Sequence, residues 1–369
     1  MARVRIKDIA EQAGVSAATV SRYLNNTPGA MTEDTRARIA EVVERTGYRP
    51  LAAARSLRTD RSQLLGVVFA DIANPYSSAM LEALSREAEG AGYSLMTAIS
   101  GNGPASEAAA VERLLSAGAD ALVVNTCGGN DEALIEASRK APVVLLDRDL
   151  DGGLARADRK LDIVTSNNAE LVNGLVGELV GCGCKKIVLL TQSGIASSIR
   201  RERAASFSDD VAAVGVEGEV VALEDDVQKA AAQIGSLVGG GAGCDGGNVG
   251  DKGRDDGDKG RDDGERRGEL GLMAVNGVVF LQLIEALQAA NPRLVEDAER
   301  RVRLTTFDEY AWNRMLMGGV TTAAQDVGAI ARAVFGQAMA RIDGDRGPAR
   351  RIEVPGRIIR RASTARRPV

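Results

Sequence analysis

The first sixty residues carry the spacing of short amphipathic helices. Apolar residues recur on one face of a first helix over 6–13. A second helix is predicted over 17–25, in which Val20 and Leu24 point inward while the opposite face is small and polar. Arg22 is the one long cation on that outer face. This second helix is therefore slim enough to enter the major groove of DNA.

A turn and a third helix complete this unit. Gly14 ends the first helix, and Ser16 is a suitable N-cap for the second. The third helix is predicted from Thr32, with acids in its first turn, to Gly47. This order of elements predicts an all-α helix-turn-helix domain over residues 1–48. A small helical bundle with no role in DNA binding is the alternative.

Strand and helix patterns alternate from residue 62 onward. Short apolar strands are predicted at 65–70, 94–99, 121–124, 143–146, 163–164, 186–190, 218–223, 272–275 and 303–307. Amphipathic helices are predicted at 77–91, 106–117, 131–140, 168–180, 199–213, 227–238, 278–290 and 328–341. Such alternation predicts parallel sheets covered by helices on both faces. Because the strands are too many for one small sheet, we expect two lobes.

Two segments interrupt these patterns. Residues 49–61 form an Ala-rich linker that favours helix but is too short to be a stable helix alone, so we expect it to order only when it is held. Residues 239–268 include a perfect tandem repeat, at 251–257 and 258–264, without an apolar residue. We predict a disordered insertion there, because such a segment buries too little surface to offset its ordering entropy.

The charges are distributed unevenly along the chain. The formal net charge of the 369 residues is -5. Residues 1–61 carry eleven Lys and Arg against seven Asp and Glu, and the segment from Arg341 carries nine Arg against three acids. A basic head on an acidic body suits a protein that contacts phosphates with one end. For the basic C-terminal segment, a solvated tail is favoured over a second DNA contact.

The counts of histidine and cysteine argue against several classes of enzyme and metal site. Histidine is absent, which excludes Ser-His-Asp catalysis, His general bases and His metal sites. The four Cys show no zinc-site spacing, so neither a metal nor a cofactor is expected. The chain has no apolar signal segment and no run of about 18 apolar residues that could span a bilayer. These features predict a reduced, cytoplasmic protein with no membrane partner.

Polar side chains follow several predicted strands. Asp71, Asp147, Asn276 and Asp308 each come directly after an apolar run. Because ligands bind beyond the carboxyl ends of parallel strands, these side chains favour a cleft for a hydroxyl-rich molecule. The alternative for each one is that it caps the helix or turn that follows.

Three arginines stand at the start of the helix predicted over 199–213. Arg200 and Arg203 share a face of that helix, whereas Arg201 does not. Guanidinium groups bind carboxylates through two parallel hydrogen bonds, so the sequence favours an acidic effector, a sugar acid rather than a neutral sugar. A surface helix that pairs with its own acids is the alternative.

The chain resembles the lactose/galactose repressor (LacI/GalR) family over nearly its whole length. In the head the matching runs are Ile6–Ala10, Ala13–Ser16, Thr19–Arg22, Leu24–Asn25, Gly47–Pro50 and Ala54–Arg58. In the body they are Ala73–Tyr76, Asp147–Arg148, Asn167–Asn168, Arg200–Phe207, Val275–Asn276, Phe307–Asp308 and Thr321–Gln325. The resemblance implies a helix-turn-helix head, a hinge helix and an α/β two-lobed effector domain of the periplasmic-binding-protein type with parallel sheets.

The resemblance also implies domain boundaries. The helix-turn-helix domain covers 1–48, the hinge helix 49–61, and the effector-binding and dimerisation domain 62–369. Lobe 1 is expected at 62–165 and 325–354, and lobe 2 at 166–324 and 355–369.

The second helix and the hinge helix are expected to contact operator DNA. Base edges are assigned to Ala17, Ala18, Ser21 and Arg22, and phosphates to Thr19, Tyr23 and Asn25. In the hinge, Leu57 matches the leucine that family members push into the minor groove, and Arg55 and Arg58 flank it.

The resemblance assigns most of an effector cleft. The residues that it implies, together with Arg200 from the arginine cluster, are Tyr76, Asp147, Asn167, Arg200, Arg203, Phe207, Asn276, Asp308 and Gln325. Departures occur at Leu51, Asn167, Cys184 and Ser206, where the family commonly has Asn, Asp, His and Gly. Residues 124–130 and 193–195 resemble the gluconate/ketogluconate-responsive branch, which also favours an acidic effector.

Together these features predict a sequence-specific DNA-binding transcriptional regulator. It is expected to repress carbohydrate or sugar-acid catabolism genes as a homodimer, with a tetramer left open, and to be released from a palindromic operator by a small sugar-type effector. Two alternatives are a sugar-binding protein that does not bind DNA and an enzyme on the same two-lobed fold. The intact head argues against the first, and the absent His argues against the second.

Overall fold

The computed structural model describes residues 4–24, 31–48, 61–151, 161–192, 197–239, 270–290, 302–316 and 318–365. The chain divides into two compact units, Met1–Leu64 and Leu65–Val369. The predicted hinge helix, apart from Arg61, and the predicted insertion, apart from Gly239, lie outside the described residues.

The described residues of the first unit form three helices around a small apolar core. They are α1 (Ile6–Ala13), α2 (Ala17–Leu24) and α3 (Glu33–Thr46). Ile9, Val20 and Ile39, one from each helix, are fully buried in that core. Gly14 adopts φ +64°, a conformation that glycine tolerates best, and lets the chain turn from α1 into α2. The helix-turn-helix prediction is confirmed.

The second unit begins with a six-stranded sheet, which with its helices we call lobe 1. Its strands are β1 (Leu64–Phe69), β2 (Ser94–Ile99), β3 (Ala121–Asn125), β4 (Val143–Leu146), β5 (Asp162–Ser166) and β11 (Arg351–Val354). Its helices are α4 (Pro75–Gly90), α5 (Pro104–Ser116), α6 (Asp131–Ala137) and α12 (Val327–Ile342). The strand order is β11-β5-β4-β3-β1-β2. Helices α4 and α12 cover one face and α5 and α6 the other, which explains why β4 is apolar throughout and β3 is apolar up to Asn125.

A second six-stranded sheet forms lobe 2. Its strands are β6 (Lys186–Gln192), β7 (Glu217–Leu223), β8 (Leu270–Ala274), β9 (Val302–Phe307), β10 (Thr321–Ala324) and β12 (Arg357–Ile359). Its helices are α7 (Asn168–Gly181), α8 (Ser198–Val214), α9 (Val227–Gly239), α10 (Gly277–Ala290) and α11 (Trp312–Met315), followed by a 3-10 turn at Ala362–Thr364. The strand order is β12-β10-β9-β8-β6-β7, in which β12 runs antiparallel to β10.

The predicted α/β fold with two lobes and parallel sheets is confirmed. Three short strands, β10, β11 and β12, were not predicted. They matter because the chain crosses between the lobes three times, after β5, after β10 and after β11. These crossovers place the carboxyl ends of the strands of both sheets beside the gap between the lobes.

Candidate functional site

Helix α2 presents a small surface in the head. Ser16 caps it by accepting a hydrogen bond from the Thr19 amide at 3.1 Å. Ala18 and Arg22 are exposed, whereas Ala17 and Tyr23 pack partly against the core of the head.

The remaining residues assigned to DNA fall into two groups. Thr19 and Ser21 are half-buried on α2. The others lie outside the described residues, namely Asn25, Arg55, Leu57 and Arg58. Ala18 and Arg22 are therefore the assigned side chains that the structure leaves most accessible for a groove.

A tight turn after β4 directs two charged side chains into the gap between the lobes. Asp147 adopts φ +64°, a strained backbone conformation for a residue other than glycine, and the Arg148 amide bonds the Leu146 carbonyl at 2.7 Å. Both side chains are buried, and Arg148 Nη1 donates to the Thr126 carbonyl at 3.2 Å. Oδ1 of Asp147 has no hydrogen-bond partner among the described residues. A buried acceptor of this kind is suited to a ligand hydroxyl.

Asp308 holds the matching position in lobe 2. It follows β9, adopts φ +70°, and its Oδ1 accepts from Gln325 Nε2 at 2.6 Å. The other end of Gln325, Oε1, accepts from Ser166 Oγ at 2.6 Å. Gln325 therefore links Asp308 to the crossover that leaves β5.

Asn167 braces a crossover. Its Oδ1 accepts from the Gly356 amide at 2.8 Å, and its Nδ2 donates to Glu170. Its neighbour Asn168, which sequence reasoning did not assign, is the residue that meets the buried arginine of the cleft.

That arginine is Arg203 of α8, and two of its nitrogens donate hydrogen bonds within lobe 2. Its Nε donates to Asn168 Oδ1 at 2.9 Å and its Nη1 to the Val275 carbonyl at 2.7 Å. The guanidinium carbon also lies 3.8 Å from the centroid of the Phe307 ring. Arg203 is thus rigidly held, with its charge beside the two cleft aspartates.

Arg200 differs from Arg203 in its pairing. Its Nη2 donates to Gln192 Oε1, but its Nη1 is buried and has no partner among the described residues. Burial, together with the positive charges of Arg148 and Arg203, lowers the pKa of the Arg200 guanidinium to about 10. The guanidinium groups of Arg148, Arg200 and Arg203 therefore lie close enough for their charges to act on one another.

Tyrosines line the same gap from both lobes. The Tyr76 hydroxyl, at the start of α4, is buried without a partner among the described residues. Burial, followed by the charges of Asp147 and Asp308, raises the pKa of Tyr76, so its hydroxyl stays protonated. Tyr310 in lobe 2 stacks on Trp312 with ring centroids 4.5 Å apart and was not assigned from the sequence.

Two other residues assigned to the cleft are engaged in the fold itself, one in a helix cap and one in the hydrophobic core. Asn276 Oδ1 accepts from the Val279 amide at 2.9 Å, so Asn276 caps the start of α10. Phe207 is 1% exposed and belongs to the hydrophobic core of lobe 2. The structure brings together Tyr76, Asp147, Arg200, Arg203 and Asp308, with Gln325 behind Asp308, and adds Arg148, Asn168 and Tyr310.

Burial and like charges act on the cleft aspartate. Burial raises the pKa of Asp147, and Arg203 and Arg148 offset only part of that rise. A ligand that donates a hydrogen bond would therefore stabilise the charged form of Asp147, and an anionic ligand would stabilise the charged form of Arg200.

The described residues contain neither a candidate membrane-spanning helix nor a candidate metal site. No helix in this part of the chain combines the length and apolar character that a membrane span needs. Within the same ranges, no group of three or more Cys, Asp and Glu side chains is arranged to hold a metal ion.

Comparisons with protein families cover both units. Residues 5–50 match the model of bacterial regulatory proteins of the lacI family. Residues 62–236 match periplasmic binding proteins and the sugar binding domain of the LacI family, and residues 176–364 match a periplasmic binding protein-like domain.

Individual relatives and structures align over the same length. The HTH-type transcriptional regulator PtxS of Pseudomonas plecoglossicida is 30% identical over 363 residues, 98% of this chain and 96% of the relative. The HTH-type transcriptional regulator KdgR of Bacillus subtilis is 29% identical over 362 residues, 97% of each chain. A crystal structure of the Lac repressor dimer bound to operator and the anti-inducer ONPF has a TM-score of 0.76 at 18% identity, covering 98% of this chain and 99% of that one.

Proposed function

The chain belongs to the LacI family of bacterial regulatory proteins, and on that premise we propose that it represses carbohydrate or sugar-acid catabolism genes. It binds a palindromic operator as a homodimer or tetramer and leaves it when a small sugar or sugar acid enters the cleft. The observation that carries this proposal is the presence, in one chain, of a helix-turn-helix head and a cleft with buried polar atoms that have no partner in the described part of the chain. The full-length relatives are transcriptional regulators by name, which favours regulation over transport or catalysis.

The head supplies the DNA contacts in this proposal. Arg22 faces base edges with Ala17, Ala18 and Ser21, and Thr19, Tyr23 and Asn25 face phosphates. In the hinge, Leu57 wedges into the minor groove between Arg55 and Arg58. Closure of the two lobes changes the spacing of the two hinges in a dimer, and this couples the cleft to the operator.

The effector is a sugar acid in this proposal. Arg200 Nη1 is buried, unpartnered among the described residues, and lies close to the charges of Arg148 and Arg203. A ligand carboxylate there would pair with Arg200 and relieve the repulsion. Near these guanidinium groups, Asp147 Oδ1 and the Tyr76 hydroxyl would bond sugar hydroxyls.

The DNA part is tested by mobility shift with DNA from upstream of the gene at increasing salt. Binding should weaken steeply with salt because Lys and Arg displace counterions. Arg22→Ala should cost about 1–3 kcal/mol and relax base discrimination. Arg38→Ala, which removes an exposed partner of Asp34, is the matched control and should discriminate as the unmodified chain does. Equal affinity for every duplex would contradict sequence-specific binding.

The effector part is tested by calorimetric titration. D-gluconate and 2-keto-D-gluconate should bind, and neutral D-glucitol should not. Arg200→Gln should lose about 2 kcal/mol of gluconate affinity, as expected when a charged hydrogen bond is removed. Arg314→Gln, at an arginine that is 70% exposed, should bind gluconate normally. Binding of glucitol with no binding of either acid would overturn the assignment of a sugar acid.

A further inference from the structure

Among the described residues, three polar contacts join the first five residues of α8, in lobe 2, to lobe 1. The Asp149 amide donates to Ser198 Oγ at 2.8 Å. Arg201 Nη2 lies 2.6 Å from Asp151 Oδ1. Arg351 Nη2, from β11, bonds both carboxylate oxygens of Glu202, at 2.9 and 3.0 Å.

The contacts differ in how much water reaches them. The Arg201 and Asp151 side chains are 52% and 50% exposed, so solvent screens that ion pair. The Arg351 and Glu202 side chains are only 15% and 31% exposed. Because the Arg351–Glu202 pair is less exposed, solvent and salt screen it less than they screen the Arg201–Asp151 pair.

The position of this pair ties it to the cleft. Glu202 lies on α8 between Arg201 and Arg203, and the same helix presents Arg200 and Arg203 to the gap. Arg351 belongs to the strand that precedes the third crossover between the lobes. The pair can therefore exist only while α8 lies against lobe 1.

We propose that Arg351 and Glu202 form a latch that holds the two lobes closed and so sets the affinity of the cleft for its effector. The effector half of this statement rests on the proposed function, whereas the closure half does not. Arg351 acts as a positioning residue, because it touches α8 and holds in place a helix whose arginines line the cleft.

The surroundings of Arg351 make the latch reversible. Within lobe 1, Glu353 lies 2.8 Å and Asp149 3.6 Å from its guanidinium nitrogens. When the lobes part, Arg351 keeps these two acids as partners, and Glu202 passes to water. Opening then breaks one ion pair while Arg351 retains its other two acids, so no buried charge is left alone and a ligand can shift the balance between open and closed lobes.

Hydrogen exchange at the Asp149 amide reports closure directly, since that amide bonds Ser198 across the gap. In the full chain without ligand, Glu202→Gln and Arg351→Met should each speed exchange there about fivefold, the size expected for a partly exposed ion pair. The double variant should exchange no faster than the single variants, because one contact is lost in all three. Arg360→Met is the control, since Arg360 pairs with Glu178 inside lobe 2 and is 77% exposed.

Titration of the same variants with D-gluconate gives a second readout. Both single variants should raise the Kd for gluconate, by at most the factor seen in the exchange rate, because part of the binding free energy is then spent on closing the lobes. Unchanged exchange at Asp149 in Glu202→Gln overturns the latch, whatever the titration shows. Faster exchange together with no gluconate binding by the unmodified chain supports the latch and rejects gluconate as the effector.

Discussion

Two buried aspartates stand at opposite ends of neighbouring strands in lobe 1, and their surroundings are opposite. Asp162 begins β5 and accepts four hydrogen bonds, from Gln337 Nε2 at 2.9 Å, from Arg341 Nε and Nη2 at 2.7 and 2.8 Å, and from the Arg350 amide at 2.8 Å. Asp147 follows β4 and leaves Oδ1 without a partner among the described residues.

The same residue type therefore has two roles. Burial alone would raise the pKa of Asp162. Its hydrogen bonds to Arg341, the Arg350 amide and Gln337 outweigh burial, so the pKa lies below its ordinary value. Burial raises the pKa of Asp147, and the nearby arginines do not reverse the rise. A saturated carboxylate stabilises the fold, whereas an unsaturated one stores free energy that a ligand can release.

The largest expected effect is on stability, at the saturated site. Asp162→Asn removes the charge that Arg341 and the Arg350 amide share, and should lower the free energy of unfolding by about 3 kcal/mol. Urea denaturation measures this change. Glu112→Gln at the exposed pair with Lys140 is the control and should change it by less than about 0.5 kcal/mol. Equal, small losses of stability in Asp162→Asn and Glu112→Gln would show that Asp162 does not stabilise the fold more than an exposed ion pair does.

At Asp147, the site with an unpartnered oxygen among the described residues, we expect one substitution to raise stability and to lower ligand affinity. Asp147→Asn replaces a buried charge by a neutral amide and should raise the free energy of unfolding at pH 7 by about 1 kcal/mol. The same variant should bind gluconate more weakly, because the amide offers a poorer acceptor to a hydroxyl. Urea denaturation and calorimetry on one preparation test both halves. A loss of stability would show that Asp147 is a structural residue.

The pH dependence of stability sharpens the contrast. Because the pKa of Asp162 is lowered by folding, its contribution is present above the unfolded pKa of about 3.9 and is lost as the pH falls through the folded value. Because the pKa of Asp147 is raised, its cost is absent below the unfolded pKa and appears as the pH rises through the folded value. Unfolding between pH 3 and 7 should show Asp162→Asn less stable and Asp147→Asn more stable than the unmodified chain at pH 7. Both differences should shrink on acidification.

A smaller effect is expected where lobe 2 meets the cleft. A Cβ at Gly277 would lie 2.3 Å from Cε2 of Tyr310, so Gly277→Ala must displace that ring. We expect a loss of about 1 kcal/mol in stability, typical of overpacking, together with weaker gluconate binding. Gly235→Ala on α9, where a Cβ meets nothing within 4 Å, is the control and should be neutral or stabilising. Identical melting curves for the two variants would show that Tyr310 can move freely.

Most of the fold was predictable because a strand that is apolar at nearly every position must be buried on both faces of its sheet. β3 and β4 are apolar at every position but the last residue of β3, and their pattern alone indicates sheets covered on both faces. β11 and β12 were missed because their short sequences are rich in Arg and Ile. They are strands because they pair with β5 and β10, and this pairing cannot be read from their own sequences.

The candidate site was partly predictable for a similar reason. Asp147 and Asp308 were found because polar residues stood at strand ends. Arg148 was missed, because the positive φ of Asp147 that turns the chain there leaves no mark in the hydrophobic pattern. Asn276 shows the converse, since the cap that it forms was the alternative weighed for every such residue.

The most direct test of the whole account is the affinity of the full chain for its operator, by fluorescence anisotropy, with and without D-gluconate and 2-keto-D-gluconate. The account predicts that one of these acids lowers operator affinity in the unmodified chain, and that Arg200→Gln binds the operator equally well but no longer responds at the same concentration. Operator affinity that neither acid changes, or an equal response in Arg200→Gln, would contradict it.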